Sequence, residues 1–455
     1  MIVEKKDFLI ACTIIATLFA FIAKAESLAL MLIVLTSLLL LRVATKRPEW
    51  ITILLILFAT RYLNTAPTHV FGIQFAKFEF LVLAVVFIVW LTQGLSGIKS
   101  IPQCYWILLF TVAIILSAAI MANIKIGQPI LLGIQIQLRL FIILLVYPIV
   151  AMMKKIPGAS SRLWNAIKKL ALVYGVMLII QYVLHGRITF MVYDTGFERL
   201  GGLRISYGYM LLILGIFLFA HELNEQIQIK SIISIALLAL DLLFIAQGRM
   251  AMLGTCGAIL LAFLLTNKVS SQFSWKKVFL AVILLIIICT MAWDNIQGLL
   301  DLTKNEITGQ TGNYIARVDE LQFYTAQVDN SLFGRGYISP KTELGAQLDT
   351  KYGFYSIQDI GIYGLYVTNG WLGILWYASI FLMILLYTNK KKRRFVFYAY
   401  NFYTLIVCTT LLNYYYSSEY LVAILVLMAT MEDDYCIVEE GGRIIENRIG
   451  DMVHI

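Results

Sequence analysis

Residues 236–253 read "ALLALDLLFIAQGRMAML". Two apolar runs meet there at Gln247, Gly248 and Arg249, and the first run also carries Asp241. The runs decide the class of fold. With its neighbours each approaches the roughly 20 residues a helix needs to cross a bilayer, and similar runs recur along the whole chain. Neither charge belongs in hydrocarbon without a partner or a cavity.

Of 455 residues, 60% are hydrophobic and 14% charged, against about a quarter charged in soluble domains. Apolar segments fall at approximately 8–23, 27–43, 50–64, 78–92, 104–122, 129–152, 168–184, 206–221, 231–246, 250–266, 277–293, 361–387, 396–413 and 418–431. They predict an all-α polytopic integral membrane protein with about 14 (12–14) transmembrane helices, a single membrane domain over 1–455. The opening "MIVEKKDFLIACTIIATLFAFIAK" imitates a signal peptide. It lacks a small-residue cleavage site after its apolar core and reads as the first span. The net charge of +9 records orientation in such a chain and does not point to nucleic acid. Cys12, Cys104, Cys256, Cys289, Cys408 and Cys436 form no CxxC or zinc spacing, which argues against a disulfide framework and a metal site.

With the N-terminus in the cytoplasm, alternation gathers Lys154, Lys155, Arg162, Lys168, Lys169 and the run Lys390–Arg394 on the same side. Basic residues favour the cytoplasmic face, so both termini are predicted there, with 432–455 as a cytoplasmic tail. Two external segments stand out: "HGRITFMVYDTGFERLGGLRISYG" (185–208) and the long loop 294–360. A connection of that length is usually functional or locally folded. Within it, "YIARVDELQFYTAQV" (314–328) sets Ile315, Val318, Leu321, Tyr324 and Val328 at helical spacing, which predicts an amphipathic helix on the outer surface. "SLFGRGYISP" then reads as a glycine-rich turn.

Orientation does not explain the external arginines Arg187, Arg199, Arg204, Arg249, Arg317 and Arg335. Arginine is preferred over lysine where a planar fork grips phosphate or carboxylate. Each has a plainer reading. Arg249 can snorkel from a helix end, Arg317 can pair with Glu320 at i, i+3, and Arg335 can be a solvated turn residue. Arg187, Arg199 and Arg204 can neutralise Asp194 and Glu198, or bind lipid headgroups. Arg139, in "GIQIQLRLFIILL", lies deeper, as does Asp241. The two either pair with each other, or Arg139 lines the floor of an external cavity.

"QGRMAML" (247–253), "ARVDELQFYTAQVDNSLFGRGY" (316–337) and "DIGIYGLYVTNGWLGI" (359–374) follow one another along the chain. They resemble three features of the O-antigen polymerase and O-antigen ligase family. These are its arginine-bearing junction, its large-loop pattern of arginine, helix and Leu-Phe-Gly-x-Gly turn, and the segment that re-enters the membrane. Asp359, Tyr363, Gly370 and Gly373 fill that segment's positions for a His or Asp, an aromatic and a Gly-x-x-Gly. The ligase branch carries a histidine where Asp359 stands. His69, His185, His221 and His454 all lie outside the long loop, so the resemblance favours a Wzy-type polymerase.

That resemblance implies a membrane glycosyltransferase acting at the periplasmic or outer face of a bacterial inner (cytoplasmic) membrane. It would move a growing glycan from undecaprenyl pyrophosphate onto a sugar hydroxyl of another lipid-linked repeat, building O-antigen, capsule or exopolysaccharide. Asp359 would accept the proton, with Asp319 and Glu320 as rivals, and Arg249 and Arg317 would stabilise the leaving pyrophosphate. Arg187, Arg199, Arg204, Arg335, Arg139 and Tyr363 would bind pyrophosphate or glycan. No metal or cofactor is implied, since a fixed arginine can carry the leaving-group charge. The partners implied are the undecaprenyl-pyrophosphate-linked oligosaccharide, membrane lipid, a chain-length regulator and a flippase, with no nucleic acid. The competing readings are a lipid-linked oligosaccharide flippase or other transporter, an O-antigen ligase, and a non-catalytic envelope scaffold.

Overall fold

The computed structural model describes residues 2–269 apart from 45, 93–104, 155, 157, 186, 193–203 and 206; residues 297, 304 and 308; and residues 312–433 apart from 329–330, 351–352, 389–393 and 410–416. It also describes 438–440 and 443–445, which pair as a short antiparallel hairpin within the expected tail. The structure is mostly helical (78%) and has the helices of an all-α membrane protein. Helix is the natural outcome for these apolar runs, because in hydrocarbon each backbone N–H and C=O must find its partner within the segment.

In chain order the principal helices are α1 (Ile2–Ile22), α2 (Glu26–Val43), α3 (Glu49–Ala59), α4 (Glu79–Thr92), α5 (Tyr105–Ile126), α6 (Ile130–Ile136) and α7 (Val146–Met153). They continue as α8 (Ala159–Val183), α9 (Tyr209–Glu225), α10 (Ile229–Leu240), α11 (Arg249–Val269), α12 (Gly312–Thr325), α13 (Ile362–Thr388), α14 (Arg394–Val407) and α15 (Ser418–Asp433). Helix α15 is a central post, buried from Tyr420 to Met431 and packed against α3, α7 and α9. Helices α1, α2 and α5 are peripheral. Their outward residues are large and apolar, with Phe8 72%, Met31 70% and Leu109 63% exposed. A soluble protein rarely shows so much apolar surface; a lipid-facing one requires it.

The number of spans differs from the fourteen expected. Among the described residues five helices are long and apolar enough to cross a membrane: Glu26–Val43, Tyr105–Ile126, Ala159–Val183, Ile229–Ala246 and Ile362–Leu386. A sixth is obtained if Ile130–Ile136 and Leu138–Met153, bent by 60°, count as one broken span. The other apolar helices are shorter. Helix α3 stops at Ala59 after 11 residues, a rise of only about 16 Å. It stops because Arg61, Tyr62, Leu63 and Asn64 all take positive φ and form a left-handed turn. The expected span 277–293 lies outside the described residues.

One end of the bundle is tied by charge. The buried Glu49, at the start of α3, pairs with Arg162 of α8 and accepts from Arg47 at 3.4 Å. Arg47 also pairs with Asp7 of α1 at 3.0 Å, and Lys168 of α8 pairs with Glu222 of α9. The expected pairing of Arg139 with Asp241 is absent. Arg139 is exposed on the one-turn segment Leu138–Leu140. Asp241 is fully buried, and among the described residues neither of its carboxyl oxygens has a hydrogen-bond partner. Its Oδ2 faces Gly175 of α8, where a Cβ would lie only 2.6 Å away. The bend before α7 turns Arg139 outward, while the π-helical turn Asp241–Ala246 points Asp241 into the packing against α8.

Candidate active site

The glycine-rich turn of the long loop is built into a membrane helix. Helix α13 breaks at Gly370, whose φ of 61° and ψ of −153° suit glycine alone. In an unbroken helix the carbonyls of Val367 and Thr368 would accept from Trp371 and Leu372. Here the loop supplies the donors: Arg335 N–H to Val367 O and Gly336 N–H to Thr368 O, both at 3.0 Å. The displaced donors turn to the loop in return. Trp371 N–H reaches Ser331 O at 2.9 Å and Leu372 N–H reaches Leu332 O at 3.1 Å. Four backbone groups that the break would orphan are thus satisfied.

Helix α5 is the platform beneath. Gly336 lies so close to it that a Cβ would meet Ala122 N at 2.3 Å and Ala118 O at 2.4 Å. The side chain of Gln128, just past α5, donates to Tyr337 O at 3.0 Å and accepts from Ser339 N–H at 2.8 Å. Asn369, beside the break, donates to Ile114 O of α5 at 3.1 Å. Two glycines, Gly336 and Gly370, and two amides therefore set the loop into the bundle.

Above this seat the loop has its own small core of Tyr324, Ile338, Leu348 and Ile357, continued by Val367 of α13. Helix α12 covers it, but not with the face expected. Ile315 and Leu321 are exposed, at 38% and 42%. Of the expected residues Tyr324 does turn inward, 2% exposed, but beside it the inward side carries Glu320, 3% exposed. The reason is local pairing. Tyr324 O–H donates to Tyr355 O at 3.3 Å, and Thr325 Oγ1 lies 2.9 Å from the Tyr363 hydroxyl at the start of α13. These contacts fix the roll of α12 and carry Glu320 inside.

A small hollow, open to solvent, lies beside this helix. Its walls include Tyr324, Arg335, Tyr337, Tyr355, Ser356 and Gln358. Arg335 is not the solvated turn residue of the plain reading. It is 4% exposed, with its guanidinium carbon 4.7 Å from the centroid of the Tyr324 ring, a cation–π arrangement. Beside the hollow, burial pushes the Glu320 carboxyl up to about 8. The nearby Asp359 charge adds to the rise, while a Ser356 backbone hydrogen bond and Arg317 oppose it. Among the described residues Glu320 Oε1 has no hydrogen-bond partner. Asp359 keeps contact with solvent, yet the surrounding walls withdraw enough water to raise its carboxyl above the ordinary value, with Arg317 opposing.

Arg317, Glu320, Tyr324, Arg335, Asp359 and Tyr363 are thus brought into one neighbourhood. Arg317 is exposed and acts on both carboxyls through space; the expected ion pair between Arg317 and Glu320 does not form. Asp319 is only half-buried. Two carboxyls of different exposure beside two arginines can divide proton custody: Glu320 keeps its proton near neutral pH, and the more accessible Asp359 can take one. Sequence reading had Glu320 only as a rival and a surface partner. Its signal was weak, namely that it lies four residues before Tyr324 on the same face.

The other arginines are placed differently. Arg249 opens α11. Helix α11 packs through Gly254 against Val407 and Tyr403 of α14, and Cys408 O at the end of α14 accepts from Ile362 N–H at 2.8 Å. The starts of α11 and α13 therefore flank one helix end. The backbone that bends before Arg249 is Gln247, with φ of 49°, and not Gly248. Arg204 reaches the same junction, with Nε 3.5 Å from Ala246 O, while Ile205 N–H donates to Ile245 O at 3.1 Å. Arg187 is exposed on a loop that the buried Gln181 side chain holds through Ile188, Phe190 and Met191. Arg139 is on the outside of its turn, and Arg199 lies outside the described residues. The chain matches no protein-family model, no curated protein and no solved structure.

Proposed function

We propose that this protein is a Wzy-type polysaccharide polymerase, a membrane glycosyltransferase that joins undecaprenyl-pyrophosphate-linked oligosaccharide repeats. The observation that carries the reading is the meeting of Glu320, Asp359, Arg317 and Arg335 beside a tyrosine-walled hollow, seated on the break in α13 of an apolar helical protein. Tyrosine faces suit sugar rings. In this reading Asp359 takes the proton of the acceptor hydroxyl, and Glu320, kept protonated, adds no repelling charge beside an anionic donor. The arginines neutralise charge as the pyrophosphate leaves, and Arg249 and Arg204 grip it at the neighbouring junction. The site then faces the periplasm or cell exterior, both termini lie in the cytoplasm, and the membrane is the bacterial inner one. A chain-length regulator and a flippase are partners in the same proposal. The test is to combine the purified protein with its lipid-linked repeat and look for a glycan ladder. A ladder supports the reading, and its absence with correctly folded protein and authentic repeat overturns it.

A second reading, a lipid-linked oligosaccharide flippase, draws on one observation. Asp241 is fully buried inside the helical bundle, without a hydrogen-bond partner among the described residues, and intramembrane ionisable residues commonly serve transport. Movement of labelled lipid-linked repeat across a proteoliposome membrane, without elongation, selects it.

A further inference from the structure

Asp241 sits far from the charged end of the bundle. Ser231, near the start of α10, donates to Glu222 at 2.9 Å within that end. Asp241 lies ten residues farther along, a rise of about 15 Å, half of a hydrocarbon core of about 30 Å. It is fully buried, and among the described residues neither oxygen meets a donor. A carboxylate there would be a bare charge, which costs far more than keeping a proton. The walls offer no relief. A Cβ on Gly175 of α8 would lie 2.6 Å from Oδ2 and 2.9 Å from the Leu237 and Leu238 side chains. A metal cation needs several oxygen ligands and has no room; a proton needs neither.

The residue before Gly175 connects this acid to a polar group nearer solvent. Tyr174 is within electrostatic reach of Asp241, Glu419 and Arg61. Its hydroxyl donates to Tyr207 O at 2.5 Å. The Tyr207 ring lies against the Arg61 guanidinium, 3.5 Å from carbon to centroid, and both residues are half-exposed. The left-handed turn after α3 holds Arg61 there. Asn64 exchanges hydrogen bonds with Val192 at 2.7 and 2.6 Å, and Tyr62 is buried among Phe21, Phe58 and Phe75. The two acids of the group are served unequally. Glu419 accepts from Gly208 N–H at 2.7 Å and Met210 N–H at 3.4 Å and feels the Arg61 charge. Asp241 faces leucines. Helices α8, α9 and α11 pack on its π-helical turn, and α9 and α11 begin with Tyr209 and Arg249. The turn ends at Gln247, whose N–H donates to Leu242 O at 3.0 Å, and Arg204 reaches Ala246 O beside it. Such π turns are frequent at functional sites.

We infer that Asp241 is a proton-binding site, loaded while the π-helical turn is packed on α8 and emptied toward the Arg61–Tyr207 side when the turn moves. On release the carboxylic O–H bond breaks, its electron pair stays on the carboxylate, and water entering beside Arg61 takes the proton. The packed state has no donor for the resulting charge, so release requires the turn to shift, together with the junction that carries Arg204 and Arg249. Proton occupancy and the placement of those arginines are thereby linked. This goes beyond the polymerisation proposal and stands without it, because it requires only proton exchange.

Two measurements on the full-length protein in an ester-free detergent test it. Infrared spectra at neutral pH should show the carbonyl stretch of a carboxylic acid free of hydrogen bonds. Asp241→Asn should remove that band, and Glu320→Gln and Asp359→Asn should keep it. Hydrogen exchange at amides 242–247, corrected for the chemical rate, should show opening that rises up to about tenfold per pH unit in the wild type, as loss of one proton requires. In Asp241→Asn the opening should not vary with pH. A wild-type spectrum without the band, or a band that survives Asp241→Asn, overturns the proton. Equal pH slopes in the two proteins overturn the link to the turn. If Asp241→Asn does not fold, Gly175→Ala decides, since it leaves the acid in place and drives a Cβ against Oδ2. Its band should move to the hydrogen-bonded range or vanish as water enters, and an unchanged band overturns the site. A missing glycan ladder with this behaviour intact counts against polymerisation alone.

Discussion

The N–H of Arg335 donates to the carbonyl of Val367 at 3.0 Å, taking a place that helix geometry reserves for Trp371. Loop and helix therefore share one hydrogen-bond ladder, and its glycines are structural. Gly370→Ala would force an alanine into a φ of 61° and set its Cβ 2.4 Å from the Leu332 carbonyl carbon. Gly336→Ala would drive a Cβ into the α5 backbone. Each substitution is expected to free the loop while the apolar helices still insert. Limited proteolysis within 312–360 reads this out: the variants are cut at least about tenfold faster than wild type, tracking the open population.

Glu320 gives a pH dependence of defined sign. Its carboxyl is raised from an ordinary 4.5 to about 8. A raised acid contributes stability that is complete below about 4.5 and is lost as pH climbs through about 8. The wild type should therefore melt at a lower temperature at pH 9 than at pH 6. Glu320→Gln, neutral at every pH, should remove most of that difference. A slope unchanged in the variant places the titrating group elsewhere.

Asp359 is the accessible carboxyl of the pair. In the polymerisation assay Asp359→Asn is expected to lower the rate ~10²–10⁴-fold, the usual worth of a general base, with normal protein levels. The wild-type rate should rise as Asp359 ionises and fall as Glu320 does near pH 8. Near-normal elongation by Asp359→Asn removes it from the chemistry.

Arg249→Lys separates a phosphate grip from a snorkelling side chain. Snorkelling needs only length and charge, whereas a two-point grip needs the guanidinium plane. Membrane insertion should be unchanged and elongation should drop by about tenfold to 10²-fold. Full activity in the lysine variant returns Arg249 to an interfacial role.

Sidedness is checked by single cysteines at Ser331 and Lys391. An impermeant thiol reagent applied to spheroplasts should label the exposed Ser331→Cys directly, and Lys391→Cys only after lysis. Labelling at Lys391 in intact spheroplasts reverses the orientation.

The helical class was legible because apolar runs such as 105–126 and 362–388 advertise themselves residue by residue. Helix ends were less so. Nothing in "RYLNT" announces a left-handed turn, since Tyr62 and Leu63 have no local preference for it, and tertiary contacts with Val192 and Phe75 impose it. In "SLFGRG" the glycines were readable as a turn, but their partners lie about 35 residues ahead in α13 and some 200 behind in α5, beyond any local pattern. Arg317, Arg335, Asp359 and Tyr363 were picked out by residue type and order. Glu320 was misplaced because an i, i+3 spacing to Arg317 describes a surface pair and a buried acid equally well. Arg139 and Asp241 were matched on depth alone, and depth along a helix says nothing about which way a side chain faces.

The shared ladder also dictates an order of assembly. Helix α5 is synthesised first, the 331–336 turn some 200 residues later, and α13 last. When Val367 and Thr368 enter the membrane, the donors that must complete them already exist on the segment just made, and the α5 seat for that segment is older still. A chain rearranged to make α13 before its loop would place a severed helix in lipid with nothing to mend it. The native gene order is thus itself a chaperone for the break, each piece arriving after the surface it needs.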